Sequence, residues 1–235
     1  MTSHTAPPRP PGPSRWILPA PETADEHGVI GVGADLHPAT LVDAYRHGIF
    51  PWPHDDLPLP WFSPDPRGVI HVHDVRVSRS LRARLRTSGW ATTVDHDFGG
   101  VMAGCRHRPG EGTWITDEMA AAYRTLADLG WAHSLEVWDG DDLVGGIYGL
   151  LVGGIFTGES MFHRVSDASK VALVDLVNRL ALAGGVLLDT QLTTPHLRSM
   201  GASDLPRARF LELLDTVRDD DVRLRRDRMD VDRLA

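Results

Sequence analysis

The chain has 235 residues, 42% of them hydrophobic, enough for one large domain or a small domain beside a medium one. Its formal charge of −8 argues against a general nucleic-acid coat and against DNA as a partner. No apolar run approaches the ~18 residues of a membrane span, and the single Cys105 excludes an internal disulfide and suits a reducing, cytoplasmic compartment.

Residues 1–27 hold five prolines before Ser14 and show little periodicity, so they read as a disordered leader without an export signal. From Gly28 to Phe62 the chain is compact and turn-rich. Asp35 or Pro38 leads into a helix over Ala39 to Arg46, which Gly48 stops. Phe50-Pro51-Trp52-Pro53, Pro58, Pro60 and Pro64-Asp65-Pro66 then predict a rigid surface loop joining two units. Val69 to Val72 reads as a strand. Arg76 to Arg86 reads as a helix with Arg79, Arg82 and Arg86 on one face. Between Arg67 and Arg86 there are six arginines and one acid, Asp74, so a basic patch sits on an acidic protein.

Thr116 caps a further helix with Asp117 and Glu118 in its first turn and Met119, Tyr123, Leu126 and Leu129 on its apolar face. His133 to Trp138 and Leu143 to Leu151 form a hairpin about Asp139-Gly140, and Gly153-Gly154 turns into a third strand, Ile155 to Phe162. A helix runs from Ser166 or Asp167 to Ala183, closed by Gly184-Gly185. The strand Val186 to Leu192 follows, then a short helix over Pro195 to Met200 and another from near Pro206. The tail from Arg218 carries six arginines and six acids and reads as a solvated helix or fray. The pattern is α+β with a mostly antiparallel sheet.

Two strands too apolar for the surface each carry a carboxylate, Glu159 and Asp189. A buried carboxylate costs several kcal/mol unless it is paired or used. Alternation puts Asp189 and Gln191 on one face, and Glu159 and Met161 on another shared face, which implies a polar pocket inside a core. The bland reading is a salt bridge to Arg164 or Lys170; binding or catalysis is favoured over it. Gly31-Val32-Gly33 lacks a third glycine, since Leu36 stands in its place, and is read as a turn. His71-Val72-His73-Asp74 has no supporting ligand cluster and is read as a surface strand, so no metal site is expected. Cys105 beside Arg106 and His107 is a weak nucleophile candidate, and no Gly-x-Ser-x-Gly elbow occurs. The arginine face suits phosphates or solvent equally. Trp52, Trp61 and Trp114, beside glycines and prolines, suit either a core or stacking on a base.

Several segments together carry a resemblance. They are Gly31 to Leu36, Tyr45-Arg46-His47-Gly48-Ile49-Phe50-Pro51-Trp52, Trp61-Phe62-Ser63-Pro64-Asp65-Pro66-Arg67, Gly112-Thr113-Trp114-Ile115-Thr116, Ala132 to Trp138, Leu143 to Gly149 and Gly158-Glu159-Ser160-Met161-Phe162. In this order the chain, from about Gly28 to Leu214, resembles the leucyl/phenylalanyl-tRNA–protein transferases. The resemblance implies a small N-terminal domain, residues 28–64, packed on a GNAT-type acyltransferase domain, residues 65–235. It implies transfer of leucine or phenylalanine, sometimes methionine, from aminoacyl-tRNA to proteins beginning with arginine or lysine, which marks them for N-end-rule degradation. No cofactor is implied. An acyl-CoA acyltransferase is the alternative enzyme, but its pyrophosphate loop is missing; a catalytically silent tRNA-binding module is the alternative outside catalysis.

By the same resemblance Asp189 polarises Gln191, which contacts the attacking amine, while Glu159 helps hold the basic peptide end. Trp52 and Trp114 bracket the terminal adenine of the tRNA, and Arg79, Arg82 and Arg86 meet its stem. Candidates for the amino-acid pocket are Ile147, Met161, Leu173, Leu176, Leu180 and Leu188. Two departures stand out: Thr190 replaces a common cysteine, and Leu176 and Leu180 fall where relatives can carry phenylalanine.

Overall fold

The structure is a computed structural model that describes residues 3–54, 58–107 and 113–235. Gly112 of the segment around Trp114 therefore lies outside the described residues. In chain order the elements begin with β1 (Val29–Val32), α1 (Pro38–Arg46), β2 (Phe50–Pro51), β3 (Pro60–Phe62), β4 (Arg67–His71) and α2 (Arg79–Thr87). β5 (Ala91–Val94), α3 (Phe98–Arg106), α4 (Asp117–Asp128), β6 (Ala132–Asp139), β7 (Asp142–Val152) and β8 (Ile155–His163) follow. The chain then makes α5 (Ala168–Leu182), β9 (Leu187–Gln191), α6 (Pro195–Ser199), β10 (Ser203–Leu205), α7 (Arg207–Val217) and β11 (Met229–Asp230).

Local chemistry accounts for most of these boundaries. The Thr116 hydroxyl accepts from the Met119 amide and starts α4. Ser78 does the same for Leu81 at the head of α2, whose apolar Leu81 and Leu85 face inward. Gly140 and Gly153 hold positive φ at the turns either side of β7. The architecture is the expected α+β: a three-stranded sheet, β1-β3-β2, beside an eight-stranded sheet in the order β10-β4-β9-β8-β7-β6-β5-β11. Every pairing is antiparallel except β8 with β9.

Four expectations are corrected. The proline-rich stretch is only in part a loop: Phe50–Pro51 and Pro60–Phe62 are sheet strands, and Trp61 is buried with its indole N–H donating to the Gly33 carbonyl at 2.8 Å. Proline is admitted because these strands are short and paired partly along one edge. β4 is interior, flanked by β10 and β9, with Val69 and Ile70 fully buried; His71 and His73 sit at and beyond its end. The leader is pinned: Thr5 and Arg9 amides donate to the Leu224 and Leu129 carbonyls, each at 2.8 Å, and Thr5 is buried. Its prolines lack donors, but the residues between them supply enough to bond the body. The tail is also packed, with β11 against β5 and Leu224 and Val231 buried.

β5 and α3 give little signal in the sequence. Gly99, Gly100 and Gly104 dilute the helix propensity of α3. Gly104 is present for space: a Cβ there would lie 2.6 Å from three carbons of the Phe162 ring.

Candidate active site

β8 and β9 are paired only from Ile155 to Thr157 against Leu187 to Asp189. Beyond that point two irregularities drive them apart. In the β7–β8 ladder Tyr148 faces Ser160 and Gly149 faces Gly158, so Glu159 has no partner and is a bulge. In the β4–β9 ladder Val69 faces Asp189 and Gly68 faces Gln191, which leaves Thr190 bulged. Gln191 then takes a left-handed φ of 63°, uncommon for a residue with a side chain. Gly68 permits this, because a Cβ there would lie 2.5 Å from the Leu192 carbonyl carbon.

The gap is a cavity of about 390 Å³. Ile147, Met161, Leu173 and Leu188 give it an apolar floor; Phe50, Pro51, Trp52 and Trp114 form one wall; Glu159, Thr190, Gln191 and His196 supply polar groups. An apolar cavity with a few convergent polar groups is the usual form of a small-molecule site.

Asp189 lies behind the cavity wall, fully buried. Its oxygens accept from Arg67 Nε at 2.8 Å and Nη2 at 2.6 Å, from Thr157 Oγ1 at 3.1 Å and from the Gln191 main-chain N–H at 2.9 Å. Arg67 is itself buried, donates through Nη1 to the Gly48 carbonyl at 3.1 Å, and lies between the Phe50 and Phe210 rings at 4.8 and 4.6 Å. The salt-bridge partner is thus Arg67. Arg164 donates instead to the Leu143 carbonyl and Lys170 to Asp167. Nor does Asp189 touch the Gln191 side chain: the bulge and the positive φ break the strand's alternation, and the contact runs through the backbone.

The Gln191 amide donates instead to Glu159 Oε1 at 3.1 Å. Tyr45 Oη donates to the same oxygen at 2.7 Å, and Tyr123 Oη to Oε2 at 3.1 Å. The two phenols also touch each other. Among the described residues three neutral donors and no cation therefore face Glu159, so the bland reading of a salt bridge to Arg164 or Lys170 does not hold for it. Burial raises its pKa to about 7, opposed by the bonds from Tyr45 and Tyr123; Asp189 raises it further and Arg67 lowers it. Proton counting is in keeping with the raised pKa. The three oxygen contacts of this triangle need three protons, and the two phenols supply two. Burial and Glu159 hold both phenols well above their ordinary pKa, so they stay protonated.

The family model described as leucyl/phenylalanyl-tRNA protein transferase matches residues 69–215, and that for the N-terminal domain of this transferase matches residues 34–65. The chain is 49% identical over 206 residues to the leucyl/phenylalanyl-tRNA–protein transferase of Shewanella sp. (strain W3-18-1), covering 86% of this chain and 87% of the relative. The chain belongs to this family. The transferase of the same name from Chromohalobacter salexigens is 51% identical over 205 residues, 86% of this chain and 80% of the relative. Among solved structures the chain is similar to L-PGS from Bacillus licheniformis (11% identity, TM-score 0.39, 57% of this chain and 49% of that one). A GCN5-related N-acetyltransferase from Kribbella flavida gives 9% identity and a TM-score of 0.37 over 69% of this chain and 58% of that one.

Set against the residues expected from the family resemblance, the cavity gathers Glu159, Gln191, Trp52, Trp114, Ile147, Met161, Leu173 and Leu188. It does not include Leu176 and Leu180, which are buried in the core on α5; Leu180 packs against Gly185. Arg79, Arg82 and Arg86 are exposed on α2 and line no part of the cavity. Tyr45, Tyr123 and Arg67 went unassigned as functional groups. The available signal was the phenols: a buried tyrosine hydroxyl needs a partner, and Tyr123 sits amid an apolar helix face. Among the described residues no helix is long and apolar enough to cross a membrane.

Proposed function

We propose that the chain transfers leucine or phenylalanine, and less readily methionine, from aminoacyl-tRNA to the α-amine of proteins beginning with arginine or lysine, feeding an N-end degradation route in the cytoplasm. The observation that carries this reading is the cavity itself, where an apolar floor, two half-buried tryptophans and the Glu159–Gln191 pair meet in one space. The aminoacyl ester is already activated, so the site needs only to position two ends and manage one proton. The amine nitrogen attacks the ester carbonyl, a C–N bond forms, the bond to the ribose oxygen breaks, and that oxygen leaves with a proton.

Gln191 is oriented for the amine. Its NH₂ is engaged by Glu159, which leaves its carbonyl oxygen to accept from the incoming N–H. An amide oxygen is too weak a base to keep that proton. Glu159, one bond away and with a pKa of about 7, is matched to receive it near neutral pH. The same carboxylate attracts a cationic acceptor end. The floor residues choose the amino acid, and one methylene there is worth only ~1–3 kcal/mol, hence the tolerance for methionine. Trp52 and Trp114 stack the terminal base.

Peptides differing only in residue one (Arg, Lys, citrulline, Ala) are incubated with leucyl- and phenylalanyl-tRNA and weighed by mass spectrometry. Arg and Lys peptides gain one aminoacyl mass, and citrulline and Ala peptides gain little. No mass gain with either donor refutes the activity; equal gain by citrulline and Arg refutes charge reading.

A further inference from the structure

His196 of the cavity and two neighbours, His163 and Lys170, have no place in the chemistry above. His163 lies two residues beyond Met161 on β8, so the two side chains share a face, and Met161 is part of the cavity floor. Lys170 lies three residues before Leu173 on α5, so it stands one turn above another floor residue. His196 lines the cavity from α6. Three elements thus bring cationic or cation-capable side chains together beside the pocket: His196 lines it, and Lys170 and His163 are near enough to act on the His196 ring.

The group is held in place. Ser169 Oγ lies 3.5 Å from His163 Nδ1, and Lys170 Nζ donates to Asp167 at 2.7 Å, which leaves two ammonium protons free. Arg84 of α2 also approaches Asp167, at 4.0 Å, from the side of that helix opposite Arg79, Arg82 and Arg86. Partial burial, then the charges of Lys170 and His163, hold the His196 imidazole below its ordinary pKa. Positive groups have been crowded here, and an arriving anion relieves the crowding.

A ligand fitting both features must carry an apolar group for the floor and an anion about one sugar away. The end of a charged tRNA has that form: the aminoacyl ester sits on the terminal ribose, and the same ribose bears a phosphodiester at its 5′ carbon. We propose that His163, Lys170 and His196 form the seat for this last phosphodiester, so that the donor is gripped at the phosphate as well as at the amino acid and base. The assignment rests on the aminoacyl-tRNA reading of the cavity. It places the cluster beside Arg84 of α2, and phosphate contacts of this kind give position and salt dependence without sequence readout.

Two minimal donors separate the seat from the rest of the site: leucyl-adenosine and leucyl-adenosine 5′-phosphate, each with an Arg-starting peptide. The readout is the ratio of their kcat/KM values. The wild-type ratio favours the phosphorylated donor by about tenfold, the worth of one charge-assisted hydrogen bond to phosphate. In the double variant Lys170→Met/His196→Asn it falls towards one, mainly through KM. A second measurement does not need turnover: the His196 ring titrates at higher pH with adenosine 5′-monophosphate bound than with adenosine. A wild-type ratio of one, or a variant that keeps the wild-type ratio, overturns the seat. If the wild-type chain uses neither these donors nor leucyl-tRNA, the donor reading itself falls and takes the seat with it.

Discussion

Removing Asp189 does more than remove a polar group beside the site. It strands Arg67, whose guanidinium is 1% exposed and lies between two phenyl rings. Breaking one side of such a buried pair costs about 3–5 kcal/mol, because the surviving charge keeps its desolvation penalty without its partner. Asp189→Ala and Arg67→Met should each lose that much. With a urea slope of ~2–3 kcal/mol/M for a chain of this size, the midpoint falls by about 1–2 M. The double variant Arg67→Met/Asp189→Leu removes both charges and should be closer to wild type in stability than either single variant. It should still transfer poorly, since nothing then anchors the Gln191 backbone in its left-handed turn or ties β9 to the Gly48 carbonyl. Urea unfolding and single-turnover transfer, on samples shown to be folded, give both numbers. Single variants costing under about 1 kcal/mol, or a double variant with wild-type transfer, would refute the anchoring role.

Transfer by the wild type should rise with pH through about 7, where Glu159 loses its proton, and Glu159→Gln should remove that limb of the single-turnover profile, leaving only the acceptor amine's titration. Glu136, fully buried and bonded to Thr93 at 2.5 Å and to the His96 and Asp97 amides at 3.3 Å, also has its pKa raised by burial, to about 7. A raised carboxyl stabilises the fold fully below its unfolded value near 4.5 and loses that contribution as pH climbs through its folded value. Wild type should therefore be less stable at about pH 8 than at about pH 5.5, by about 2 kcal/mol from Glu136 and a similar amount from Glu159, and Glu136→Gln should roughly halve that slope in unfolding curves. Gly68→Ala should cost about 1–3 kcal/mol and slow transfer, because the added methyl meets the Leu192 and Thr193 backbone; an unchanged rate would mean the β9 turn tolerates displacement. Replacing Arg79, Arg82 and Arg86 together by glutamine should weaken binding of differently charged tRNAs alike and lower the salt slope, whereas unaltered binding would leave α2 a solvated face.

The sequence alone determined the elements that depend on near neighbours. Thr116 before two acids, glycines after α1 and α5, and period-two apolar runs either side of Asp139-Gly140 act within a few residues, so their outcome is local. It also determined that Glu159 and Asp189 lie inside, because their own strands are too apolar to face water. What it could not determine was the partner of each. Arg67 reaches Asp189 across 122 positions and Tyr45 reaches Glu159 across 114. Which of the many arginines, and which of the three tyrosines, completes a buried carboxylate depends on how two sheets and two helices pack. The leader, the proline strands and the tail misread for the same reason: their composition suits solvent, and only bonding to Leu224, Gly33 and Thr92 places them in the fold. The cavity itself is tertiary. It exists because bulges at Glu159 and Thr190 part β8 from β9, and a bulge is a mismatch between two strands that neither strand shows alone.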